Sequence, residues 1–142
     1  AQPAGTYSKA SPPDPAVVGR LNLKTEWSQY VPVADVRDGL ALVQTIDDQL
    51  FVQTKSGVLV ALDAGTGRIQ WMARLGEGGN ANVYPVAANK DYVFAVHVTR
   101  LYGFHRYTGV TEFGTDLDVP GLRRRAGAPS VGLAADDRAV YV

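Results

Sequence analysis

The chain contains no cysteine and a single methionine among its 142 residues. Disulfides, thiolate metal centres and a lipid-bearing N-terminal cysteine are therefore excluded for this sequence, and the compartment stays open on that evidence alone. An excess of one charge is missing as well. The 14 Lys and Arg balance the 14 Asp and Glu, and both signs divide evenly between residues 1–75 and 76–142. Neither half is built to meet a nucleic acid or an anionic membrane surface. No apolar run approaches the roughly 20 residues of a membrane helix, so no membrane span is expected. No pattern suggests a helix of normal length. What is present is a hydrophobic content of 46%, broken into short pieces by 15 glycines and 8 prolines, which is a globular composition.

The pieces are organised around one stretch, Ala61 to Trp71, which follows the strand-like run Val58-Leu59-Val60-Ala61-Leu62. Asp63-Ala64-Gly65-Thr66-Gly67 is a turn cluster in which Asp63 and Thr66 can form local hydrogen bonds. Gly67 can take positive φ at little cost. Arg68-Ile69-Gln70-Trp71 then alternates again, and Trp71 offers a large flat surface to a neighbouring element. Forty-two residues later (105 − 63 = 42) Leu59 to Trp71 recurs as Leu101 to Phe113. Ala61 becomes Gly103, Thr66-Gly67 becomes Thr108-Gly109, and Trp71 becomes Phe113. At the same offset Leu50-Phe51-Val52 lies over Tyr92-Val93-Phe94. A period near forty with strands and turns inside it is a signature of propeller blades.

The first copy resembles the tryptophan-docking motif of quinoprotein-type (PQQ-like repeat) β-propellers. The matching positions are Ala61, Asp63, Thr66, Gly67, Arg68 and Trp71, with Arg in place of the usual Lys. The second copy is degenerate: Gly103, Thr108 and Gly109 are kept, His105 replaces the Asp, Val110 the basic residue and Phe113 the Trp. The resemblance implies an all-β fold, part of a propeller of four-stranded antiparallel blades, in a family that usually has seven or eight. A closed ring of four such blades needs roughly 170 residues, so the chain is expected to be a fragment whose order depends on the remaining blades.

Taken in order, residues 1–20 form an expected extended leader rich in proline, and 21–38 hold an outer strand of another blade (Leu21–Trp27) plus a connector. Blade one is expected at 39–75 and a connector with blade two at 76–117. A crossover loop and the start of blade three fill 118–142. The Ala1-Gln2 start without Met fits a terminus left by signal-peptide cleavage, which points to an exported protein of the bacterial periplasm or cell envelope.

Little in the chain carries chemistry. His97 and His105 sit on neighbouring strands, yet two histidines from one hairpin make a poor zinc site, and strand-end positions explain them better. Asp47-Asp48 and Asp136-Asp137 each precede a second strand and are turn residues. Arg123-Arg124-Arg125 is the single charge run, either a solvated loop or a partner-docking patch on one rim. The resemblance implies two functional classes. One comprises quinoprotein dehydrogenases, with a calcium-bound quinone, a catalytic Asp and often a Cys pair. That Cys pair is absent here and no residue matches the Asp, so an active site would have to lie in other blades. The other is the non-enzymatic branch, which includes the propeller protein of the bacterial outer-membrane β-barrel assembly machine. The expected function is this second one: a scaffold or protein-interaction module without catalytic residue, metal or cofactor. Its expected partners are the remaining blades and other envelope proteins.

Overall fold

The computed structural model of the chain describes residues 12–33, 38–76, 83–116 and 133–141. The chain divides into two units, 1–30 and 31–142. In the first, the described part of the expected extended leader holds a helix, α1 (Pro15–Arg20). The cause is local: the Asp14 carboxylate accepts from the Ala16 N–H at 2.9 Å, and Pro15 supplies a preset φ at the first position. Leu21–Trp27, expected as an outer strand, pairs with no strand among the described residues and is irregular after the turn at Leu21-Asn22. Alternation of side chains does not make a strand without a ladder partner, and Asn22 turns the backbone away at φ 56°.

The second unit is all-β and has the architecture of part of a β-propeller. Blade one is a four-stranded antiparallel sheet in sequence order, with β1 (Leu40–Ile46), β2 (Gln49–Thr54), β3 (Val58–Asp63) and β4 (Ile69–Arg74). Blade two repeats it with β5 (Ala87–Ala88), β6 (Tyr92–His97), β7 (Arg100–His105) and β8 (Thr111–Asp116). A further antiparallel pair, β9 (Ala134–Ala135) and β10 (Val140–Tyr141), lies beside β5. The blades meet face to face. Phe51, Leu59, Ala61, Trp71 and Leu75 from blade one share a core with Val86, Val93, Ala95 and Phe104 from blade two. Each large side chain buried there contributes roughly 1.5–3 kcal/mol.

The register corrects one detail of the repeat. Phe51 pairs with Ala61 and Phe94 pairs with Gly103, so Phe94 and not Val93 is the counterpart of Phe51. The offset is therefore 43 in the second strand and 42 in the third (94 − 51 and 103 − 61). The missing residue is in the turn. Lys55-Ser56-Gly57 links β2 to β3, with Gly57 at φ 88°, whereas only Val98-Thr99 links β6 to β7. The shorter turn forces Val98, a β-branched residue, to φ 58°.

The first strand of blade two is reduced to β5 and one isolated bridge from Val83 to His97. Pro85 lies between them and has no N–H to give to a ladder. Blade one takes over the freed backbone. The Gln44 amide donates to the Val86 carbonyl at 2.9 Å and accepts from the Val86 N–H at 3.0 Å, and Gln53 Nε2 donates to the Tyr84 carbonyl at 2.6 Å.

Candidate functional site

The turn between β3 and β4 shows what its residues are for. Asp63 Oδ1 accepts from the N–H groups of Gly65 (2.9 Å) and Thr66 (2.8 Å) and from the Thr66 hydroxyl (3.1 Å). These bonds, the Thr66 N–H foremost, hold the Asp63 carboxyl below the usual carboxylate range. The Gly67 N–H then closes on the Asp63 carbonyl at 2.8 Å with Gly67 at φ 74°. The turn between β7 and β8 keeps the backbone but not the carboxylate. The Gly109 N–H donates to the His105 carbonyl at 2.8 Å, with Gly109 at φ 70°, and Thr108 Oγ1 accepts from the Val110 N–H at 3.4 Å as Thr66 Oγ1 does from the Arg68 N–H. Substitution of Asp63 by His105 therefore removes the side-chain lock and leaves the turn shape.

These two turns face each other through Trp71. Its indole N–H donates to the Arg106 carbonyl, in the second turn, at 2.7 Å. Its ring lies against Gly109, where an added Cβ would stand 2.6 Å from two ring atoms. Phe51 and Phe104 flank it at ring distances of 6.3 and 5.7 Å. Gly109 is thus required twice, for its φ and for the closeness of the indole. In blade one the small Ala61 pairs with Trp71, and in blade two Gly103 pairs with Phe113. The Phe113 ring covers Gly103 so closely that a Cβ there would stand 2.5 Å from Cε1, yet Phe113 stays 36% exposed. Phe113 and Phe94 face a cleft of about 530 Å³ that Asp136–Val140 closes on the far side.

Arg106 is the residue that motif reading overlooked. It is 4% exposed, and its guanidinium is spread over both blades. Nε donates to Gln49 Oε1 at 2.7 Å, Nη1 to the Asn89 carbonyl at 2.8 Å, and Nη2 to the Ile46 carbonyl at 3.1 Å and Asp47 Oδ2 at 2.9 Å. Gln49, itself fully buried, returns a bond from Nε2 to the Arg106 carbonyl at 3.0 Å and another to Gln70 Oε1 at 2.6 Å. Tyr107 adds a hydroxyl bond to Asp48 Oδ1 at 3.2 Å. The pair Asp47-Asp48 is a turn, as expected, and also gives the buried cation its counter-charge. A lone basic residue inside a degenerate motif copy carries no sequence signal of its own.

Of the expected site residues, the structure brings Trp71 and Gly109 together across the seam, and Ala61 with Trp71 and Gly103 with Phe113 within the blades. Arg68 is exposed and makes its turn contact through its backbone. Arg123, Arg124 and Arg125 lie outside the described residues. His97 and His105 end opposite ends of one hairpin, pairing with Arg100 and Tyr92 respectively, so they do not converge. No group of three or more His, Cys, Asp or Glu is placed to hold a metal among the described residues. No helix among them is long and apolar enough to cross a membrane.

No family model matches the chain, and no curated protein does. Solved structures do. The chain is similar to BamB from Moraxella catarrhalis, with a TM-score of 0.44 and 21% identity over 56% of this chain. It is similar also to a europium-containing methanol dehydrogenase, with a TM-score of 0.42 and 21% identity over 55% of this chain. The matched parts span 22% of the first protein and 15% of the second. Both likenesses concern the fold alone.

Proposed function

We propose that the chain is a non-enzymatic propeller scaffold, a protein-interaction module of the bacterial cell envelope, whose blades are held by tryptophan docking and whose rim loops meet partner proteins. The observation that carries this reading is where the polar side chains of the seam spend their bonds. Gln44, Gln49, Gln53, Trp71 and Arg106 all donate to acceptors in the seam, and all except Gln49 and Arg106 do so solely across it. Groups so committed fix geometry and are not free to move protons or hold substrate. In this reading Ala61, Asp63, Thr66, Gly67, Arg68 and Trp71 form the complete docking unit, and Gly103, Thr108, Gly109 and Phe113 the second. The outward face of Phe94 and Phe113 receives the remaining blades, from the same polypeptide or a second one. Partners approach the rims, where Arg68, Gln70 and Tyr107 are exposed beside the seam, and the Arg123-Arg124-Arg125 run, outside the described residues, supplies positive charge to the same partners.

The test is photo-crosslinking in living cells from single probes placed at Gln70, Tyr107 and Arg124 of the intact protein. The scaffold reading expects discrete adducts with another envelope protein from at least one rim position and none from a probe at buried Val60. Absence of adducts from every rim position, together with quinone-dependent dehydrogenase activity, would establish the alternative, an enzyme whose active site lies in other blades.

A further inference from the structure

We infer that His97 is an acid-sensitive wedge between the two blades, so that protonation opens the seam at the rim opposite Arg106. His97 ends β6 and is 9% exposed. Its ring fills a slot left open by two glycines, Gly57 in blade one and Gly76 just after it. An added Cβ at Gly76 would stand 2.9 Å from Nδ1, and one at Gly57 3.2 Å from Nε2. Both glycines have positive φ, 141° and 88°, and the Leu75 N–H to Gly57 carbonyl bond of 2.7 Å ties the two segments together. The fit is one of shape without polar return, because buried Nε2 has no hydrogen-bond partner among the described residues. A neutral ring tolerates this as a bare acceptor. The imidazolium carries a proton on both nitrogens, and an ionised N–H without an acceptor in a buried slot is far more costly.

The surrounding charges do not favour the cation. Lys55 is on the β2–β3 turn, Arg74 ends β4 and donates to the Gly76 carbonyl at 3.3 Å, and Arg100 is paired with His97 in the hairpin. The Tyr102 hydroxyl is near Gly76. Asp38 gives its two carboxylate oxygens to the N–H and hydroxyl of Ser56. Glu77 follows Gly76 and lies outside the described residues. Burial accordingly holds the His97 imidazole below the ordinary histidine range. A folded value below the unfolded one means that the opened state binds more protons. Closure of the slot is complete above the ordinary histidine range and weakens as pH falls below it, levelling off beneath the folded value.

Hydrogen exchange of the intact protein, followed by mass spectrometry at pH 7.5 and 5.0 and corrected for intrinsic rates, tests the wedge. Amides of Gly57 and Leu75 should lose protection by about tenfold per pH unit between the unfolded and folded values, while Gly109 and Trp71 on the other rim change little. His97→Gln, which is uncharged at both pH values, should abolish the difference, and Glu77→Gln and His105→Gln should retain it. Equal protection at both pH values in the wild type overturns the inference, as does a pH-dependent loss that persists in His97→Gln. Should His97→Gln fail to fold, an imidazole titration of the wild type decides: a His97 midpoint at or above the ordinary range contradicts the wedge.

Discussion

Replacing Arg106 by leucine keeps most of the buried volume and removes every bond of its guanidinium. Three neutral acceptors then lose their donor: Gln49 Oε1, the Asn89 carbonyl and the Ile46 carbonyl. A buried acceptor left unsatisfied costs about 1–3 kcal/mol. Gln49 is fully buried and bears the whole penalty, whereas the two carbonyls are partly buried and recover some of it from water. The sum is roughly 3–5 kcal/mol, the range expected when one member of a buried charged network is deleted. The ion pair itself is a minor part. Asp47 and Asp48 have side chains 73% and 66% exposed, so Asp47→Asn should cost no more than about 1 kcal/mol. Arg106→Lys keeps the charge but cannot reach three separated acceptors, and should resemble Arg106→Leu. Removing Gln49 and Arg106 together should cost less than the sum of the single changes by at least about 1 kcal/mol, since each single change orphans the other. Urea unfolding of the intact protein, these variants and the single Gln49 variant measures each of them. If Arg106→Leu and Asp47→Asn are equally mild, the bonds to the three neutral acceptors do not hold the seam.

Other perturbations separate shape from charge. Trp71→Ala should cost about 3–5 kcal/mol, seen as a lower unfolding midpoint, because the indole is buried and bonded to Arg106. Gly109→Ala should be severely destabilising, since the new Cβ meets a locked indole at a positive φ, while Gly103→Ala should be milder because half-open Phe113 can swing aside; thermal melts of the pair test the ordering. Val98→Gly should stabilise by about 1 kcal/mol in the same melts by releasing the left-handed strain of a β-branched residue. The folded Asp63 carboxyl titrates below its unfolded value of 3.8, so its contribution is fully present above that value and disappears as pH falls through the folded one. Asp63→Asn should therefore flatten the acid limb of a stability–pH curve and leave its slope near neutrality unchanged.

How far the sequence carried the argument depended on whether a feature is periodic. The strands of both blades, the hairpin turns and the pairing of small residues with Trp71 and Phe113 follow from a motif that repeats, and each repeat checks the other. The frame broke where a single residue altered the backbone. Loss of one turn residue at Val98-Thr99 shifted β6 by one position, and Pro85 emptied the first strand of blade two. Neither event leaves a trace in hydrophobic alternation. The polar network of Gln44, Gln49, Gln53 and Arg106 was hidden for a different reason. Across the seam its members are 31 to 60 residues from their partners, and nothing local distinguishes a glutamine that bridges blades from one facing water. The helix over Pro15–Arg20 was readable from Asp14-Pro15 but was outweighed by the surrounding prolines.

The central claim is that the chain belongs to a scaffold and not to a cofactor enzyme. Titration calorimetry of the intact protein with pyrroloquinoline quinone in the presence of calcium tests it most directly. The scaffold account predicts no saturable heat and no shift of the thermal unfolding midpoint on addition of quinone and calcium. Stoichiometric, tight uptake of the quinone would contradict it.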